Sequence, residues 1–124
     1  MSDALIVVDA ANVVGSRPDG WWRDRRSATD RLRDEITGLA ATGVDGSGPA
    51  QVVLVVEGAA RGVTSTPTVE VVEADGSGDD SIVAVVHGRA PGVDCVVVTA
   101  DRESRRRVGE LGARIAGPRS IREG

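Results

Sequence analysis

The sequence predicts an α/β fold in which a mostly parallel sheet is covered by helices. Three observations carry that reading. Short apolar runs, continuous rather than alternating, recur along the chain, as in strands buried on both faces. A segment between them repeats apolar residues every three or four positions, the stripe of a helix packed on a sheet. Glycine- and proline-rich punctuation separates the two kinds of segment, and strands that alternate with helices build parallel sheets.

The first run is Leu5-Ile6-Val7-Val8, bounded by Asp9-Ala10-Ala11-Asn12. Ala28, Leu32, Ile36, Leu39 and Ala40 then mark an amphipathic helix, ended by Gly43 and the turn Asp45-Gly46-Ser47-Gly48-Pro49. The second strand is expected over 52–56 and the third over 68–72. The gap between them is short for a crossover, so a single helical turn is expected near 59–62. Asp79-Asp80-Ser81 opens a second helix carrying Ile82, Val83, Val85 and Val86, stopped over 88–92. The fourth strand is expected over 93–98. Asp101 opens a third helix over 102–111, closed by Gly112, and a weaker fifth strand over 113–116 precedes Gly117-Pro118. No internal repeat and no domain-length linker interrupts this order, so residues 1–124 read as one domain.

Composition bounds the chemistry. A chain of 124 residues can bury a full core, and 40% hydrophobic with 27% charged residues argues against wholesale disorder. All 15 basic residues are arginine, which excludes Schiff-base chemistry and a P-loop lysine. Tyr and Phe are absent, so the core must be aliphatic. The single Cys95 rules out an internal disulfide and a cysteine-based zinc cage. A net charge of −4 argues against coating nucleic acid by bulk charge, yet leaves room for local arginine stripes. No apolar run approaches the roughly 18–20 residues of a membrane span, and the N-terminus lacks a signal-peptide pattern. A cytoplasmic protein without a membrane partner is expected.

Acids fall at the strand ends. In open α/β sheets, ligands bind beyond the carboxyl ends of the strands, where the strand order reverses. The first strand runs into Asp9, the second into Glu57, and the fourth into Asp101 after Thr99-Ala100. Asp79 and Asp80 sit at a helix start, which lies on the same rim. Each helix-start acid could be a plain cap. Five carboxylates from four segments repel one another unless a cation or a bound proton offsets them. An oxygen-only set suits a hard divalent cation, Mg²⁺ or Mn²⁺, and such sites clamp phosphodiesters and activate water. Asn12, three residues past Asp9, could orient that acid or contact a phosphate.

Candidate substrate groups follow the first strand. Arg17, Arg23 and Arg25 interleave with Trp21 and Trp22, the only aromatic residues present besides His87. Arginines hold phosphates and tryptophans stack on unpaired bases; the same tryptophans could instead lid the following helix. Arg102, Arg105, Arg106 and Arg107 add charge behind Asp101, diluted by Glu103 and Glu110, and a solvated helix face explains them slightly better. His87, mid-helix and far from the cysteine, reads as a surface or satisfied residue.

The segments Val7-Val8-Asp9-Ala10-Ala11-Asn12-Val13-Val14, Glu57 after a Val-rich strand, Gly78-Asp79-Asp80 and Val98-Thr99-Ala100-Asp101-Arg102 together resemble the NYN branch of PIN-like nucleases. The bacterial YacP-like group is nearest, and the stretch Gly15 to Asp24 looks like its actinobacterial members. The resemblance implies a three-layer α/β/α sandwich with a five-stranded sheet ordered 3-2-1-4-5, which sets Asp9 opposite Asp101. It also implies a Mg²⁺- or Mn²⁺-dependent ribonuclease, usually endonucleolytic, acting on single-stranded or structured RNA. On that footing Asp9, Asp79, Asp80 and Asp101 are metal ligands and catalytic residues, Asn12 is the companion of Asp9, and Glu57 is a further ligand. Arg17, Trp21, Trp22, Arg23, Arg25 and Arg102 are the RNA-binding candidates. The chain ends soon after the fifth strand, so substrate choice is expected to depend on a protein partner.

Other metal-using α/β folds fail on single residues. A receiver domain needs a lysine, a haloacid-dehalogenase phosphatase needs Asp where Ala11 stands, and a Rossmann site needs a glycine-rich turn where Asp9 to Asn12 stand. A von Willebrand-type metal module wants Asp-x-Ser-x-Ser, which is missing. A non-catalytic RNA- or protein-binding module and a nucleotide phosphohydrolase are the alternatives to the ribonuclease.

Overall fold

Five strands form one sheet in the order β3-β2-β1-β4-β5, and every pairing is parallel. The computed structural model describes residues 4–16, 20–46, 48–60 and 62–121, the side chains of Trp21, Asp45 and Ala59 excepted. The strands are β1 (Ala4–Asp9), β2 (Ala50–Val56), β3 (Val69–Glu73), β4 (Cys95–Val98) and β5 (Arg114–Ala116). Central β1 sets Val7 opposite Val53 on one side and Val97 on the other. That position explains its unbroken apolar run.

Two apolar layers flank the sheet. Ile6, Val8, Leu54 and Val98 pack with Val13, Leu32 and Ile36 on one face. Leu5, Val7, Val55 and Val97 pack with Ile82, Val86 and Val108 on the other. Alternate residues of each strand thus enter opposite layers, which is why the runs do not alternate with polar residues. The α/β/α sandwich and the strand order expected from the sequence are both present.

The helices differ in detail from the pattern. A short helix α1 (Ala10–Gly15) follows β1 at once; six residues are too few to show a periodic stripe. The stripe over 28–40 is not one helix. It is α2 (Arg25–Glu35), a 3₁₀ turn Ile36–Gly38, and α3 (Leu39–Thr42). Thr37 and Gly38, both poor helix formers, sit at the break. Asp24 caps α2 by accepting from the Ser27 amide at 3.0 Å. The short connection after β2 holds a 3₁₀ turn, Gly58–Ala60, rather than a turn centred later. Helix α4 (Gly78–His87) starts before Asp79: Ser77 is its cap, and Asp79 and Asp80 lie in its first turn. Helix α5 (Arg102–Glu110) is capped by Asp101. β3 and β5 each begin one residue later than expected. β4 begins two residues later, because the Val93 amide bonds to the Ala90 carbonyl in a turn.

Candidate active site at the carboxyl rim of the sheet

β1 has β2 on one side and β4 on the other, so the connections leaving their carboxyl ends diverge and open a crevice there. Asp9 closes β1 and also caps α1. It is only 8% exposed, a rare condition for an acid without a basic partner. Among the described residues no arginine pairs with it. Its Oδ2 instead accepts from the Thr99 hydroxyl at 2.8 Å, and its Oδ1 from the Asn12 amide at 3.4 Å. Burial pushes its carboxyl above the usual range. The Thr99 and Asn12 bonds pull it back, while the charges of Asp79 and Glu57 push it further up.

Hydroxyl residues link three of the acids, one from each of three segments. Thr99, fully buried, donates to Asp9 and accepts from the Asp101 amide at 3.1 Å through the same oxygen. Asp101 Oδ2 accepts from the Ser104 amide at 2.8 Å, and the Ser104 hydroxyl donates to Asp79 Oδ1 at 2.6 Å. Asp9, Thr99, Asp101, Ser104 and Asp79 therefore form one continuous hydrogen-bonded path from β1 to α4. Asn12 closes it from the other side, since its Oδ1 accepts from the Ala100 amide at 2.8 Å. With that oxygen engaged, the Asn12 NH₂ is the group left to donate. Glu57 Oε2 accepts from the Gly78 amide. A side chain at position 78 would collide with that carboxylate, so glycine there lets Glu57 reach the start of α4.

The acids of the Asp79-Asp80 pair have different places. Asp79 is tied to Ser104 and acts on Asp9, whereas Asp80 is 76% exposed and pairs with Arg107 at 2.9 Å. Neither is the cap of α4. Three of the α5 arginines, Arg107 among them, are spoken for within the fold. Arg105 donates to the Thr99 carbonyl at 3.0 Å, and Arg106 pairs with Glu103 and Glu110. Arg102 is exposed at the start of α5. Arg23 and Arg25 are exposed, Trp22 is 58% exposed, and Arg25 lines a cavity shared with Glu57. Trp21 lies in the 3₁₀ turn Trp21–Arg23; its side chain and all of Arg17 fall outside the described residues. His87 is exposed at the end of α4. Thr99 and Ser104 are the site residues to which the sequence pattern assigned no role. The signal was local: a threonine two residues before Asp101 and a serine three after it.

Among the described residues, no three His, Cys, Asp or Glu side chains are gathered closely enough to hold an ion between them. The chemistry of the set nonetheless fits a hard divalent cation. The donors are oxygens only, and the Asp9 carboxyl is raised chiefly by its burial and further by Asp79 and Glu57, without an arginine partner among the described residues. No described helix is long and apolar enough to cross a membrane.

No family model matches the sequence, and the search of curated proteins found no match. Solved structures do match the fold. The crystal structure of Rae1 (YacP) from Bacillus subtilis aligns with a TM-score of 0.76 and 19% identity, over 94% of this chain and 70% of that one. Its W164L mutant aligns with a TM-score of 0.74 and 19% identity, over 95% and 72%. The YacP-like resemblance read from four short motifs is thus matched by the arrangement of the backbone.

Proposed function

We propose that the chain is a ribonuclease, endonucleolytic and dependent on Mg²⁺ or Mn²⁺, acting on RNA in the cytoplasm. One observation carries this: a buried, elevated Asp9 stands at the switch point of a YacP-like sheet, within the electrostatic reach of Asp79 and Glu57. Asp9, Asp79 and Asp101 are the proposed ligands, with Glu57 beside them, and would have to draw together to share one ion; Asp80, committed to Arg107, is left out of the set. A bound divalent ion supplies charge neutralisation and Lewis acidity for phosphodiester hydrolysis.

The chain's own groups set the rest. Thr99 fixes the rotamer of Asp9 and favours its ionised form. Ser104 holds Asp79 and Asp101 at a set separation. The Asn12 NH₂ is available to a phosphate oxygen beside Asp9. Arg23, Arg25 and exposed Trp22 offer phosphate and base contacts from the segment after α1.

The test is a panel of single-stranded, structured and duplex RNAs and free nucleotides, incubated with Mn²⁺ beside an Asp9→Asn control. Internal cleavage of RNA by the parent and none by the variant is expected. Binding of RNA without cleavage would indicate a binding module, and turnover of free nucleotides alone would indicate a phosphohydrolase.

A further inference from the structure

A cavity of about 150 Å³ opens beside the acidic rim, between α1, α2 and the Gly58–Ala60 turn. Ala11, Val14 and Ala60 give it apolar walls, with Thr29 among them, and Glu57 and Arg25 also line it. The Thr29 hydroxyl already donates to the Arg25 carbonyl at 2.7 Å, so it adds no free donor to the wall. The volume equals about five waters, the bulk of one flat heterocycle rather than of a whole nucleotide. Glu57 connects the cavity to the candidate catalytic acids, since it accepts from the Gly78 amide at the start of α4.

We propose that this cavity is a nucleobase subsite. One base of a single-stranded RNA leaves its stack and enters between Ala11, Val14 and Ala60, while Arg25 contacts the adjoining phosphate. The inference rests on the ribonuclease reading and narrows its substrate class to unpaired RNA. A small apolar slot flanked by a guanidinium and next to a phosphodiester-handling rim matches what an extruded base presents, a π-face on one end and an anion on the other. Paired RNA would first have to give up a base pair to use the slot.

The experiment measures binding, so it does not depend on turnover. A fluorescent single-stranded RNA is titrated into metal-free protein, and an abasic nucleotide is moved along the RNA one position at a time. One position is expected to stand out, with affinity reduced roughly 10- to 100-fold, the range of a lost base contact. Ala11→Phe, at an exposed α1 position, fills the slot. It should weaken the intact RNA by a similar factor, leave Tm unchanged, and show no further loss with the abasic RNA. A flat abasic scan on the parent overturns the subsite whether or not the variant folds. So does an abasic loss that persists in Ala11→Phe, or competition by a free nucleoside monophosphate as strong as that by the oligonucleotide. RNA that is cleaved with Mn²⁺ yet shows a flat scan would sink the subsite alone. RNA neither bound nor cleaved would sink the ribonuclease reading with it.

Discussion

Replacing Thr99 by valine keeps the shape of a fully buried side chain and removes the oxygen that joins two acids. Two bonds go at once: the donor to Asp9 Oδ2 at 2.8 Å and the acceptor for the Asp101 amide at 3.1 Å. A bond to a charged group contributes about 1.5–3 kcal/mol and a neutral one about 1 kcal/mol. The Asp101 amide is partly buried and recovers some of its share from water, so the net loss is about 2–4 kcal/mol. At about 2.1 cal/mol/K of unfolding entropy per residue, 124 residues lose about 4 °C of Tm per kcal/mol, and the expected drop is roughly 8–15 °C. Thr99→Ser, which retains the hydroxyl, should recover most of it.

The pH dependence separates this from a simple packing defect. The Thr99 bond lowers the Asp9 carboxyl, which means that it favours the charged form. In Thr99→Val the Asp9 carboxyl therefore rises further. The stability gap between parent and variant should be small in acid, where Asp9 is protonated in both, and should widen as pH rises through the Asp9 titration. Thermal melts of the two proteins across about pH 4 to about pH 8 read this directly. A gap of the same size at both ends would refute the claim that Thr99 acts on the ionised carboxylate.

Three further outcomes are expected. The Asp9 carboxyl is raised above 3.8 in the fold, so its stabilising contribution is present below that value and is lost as pH rises through the folded pKa. Asp9→Asn should then melt no lower than the metal-free parent at neutral pH, and should gain on it from acid to neutral, while losing the Tm increase that Mn²⁺ gives the parent. Asp79→Asn should lower the Asp9 carboxyl and reduce RNA cleavage by an order of magnitude or more. Asp80→Asn should cost under about 1 kcal/mol and leave cleavage intact, since it breaks only an exposed pair with Arg107; equal effects would contradict the division of roles. Removing Arg23 and Arg25 should flatten the salt dependence of RNA binding. Trp22→Ala should weaken binding by about 1–3 kcal/mol at unchanged Tm, whereas a lower Tm with unchanged affinity would assign that ring to packing.

The parts of the fold that could be read from the sequence are those where one physical demand dominates. A strand buried on both faces has to be apolar throughout, and Leu5 to Val8, Val52 to Val56 and Val96 to Val98 show it without help from context. Cys95, the first residue of β4, is buried and packs as a small apolar side chain in the layer of Leu5 and Val97. The acids at the strand ends were legible for a similar reason, because Asp9 ends β1 and Asp101 follows β4 after two residues. Helix boundaries were less so. The stripe from Ala28 to Ala40 continues through a break at 36–38, since the apolar positions serve packing on the sheet whether or not the helix is regular. The separate fates of Asp79 and Asp80 depend on Ser104 and Arg107 of another helix, and nothing near them in the chain encodes that.

The links between the acids show most clearly what the sequence withholds. Carboxylates are conspicuous in a sequence, but the groups that set their spacing are a threonine and a serine, residues that occur everywhere on protein surfaces. Thr99 and Ser104 become informative only once each is seen to be fully buried and bonded at two points. A buried residue bonded at both points to acids from different segments has little freedom to move. It fixes the distance between charges that would otherwise spread apart. The acidity of the rim is therefore a property of the composition at four strand and helix ends, whereas its geometry belongs to two hydroxyl residues. A variant that keeps every carboxylate and loses only Thr99 should accordingly disturb the site more than one that keeps Thr99 and loses Asp80.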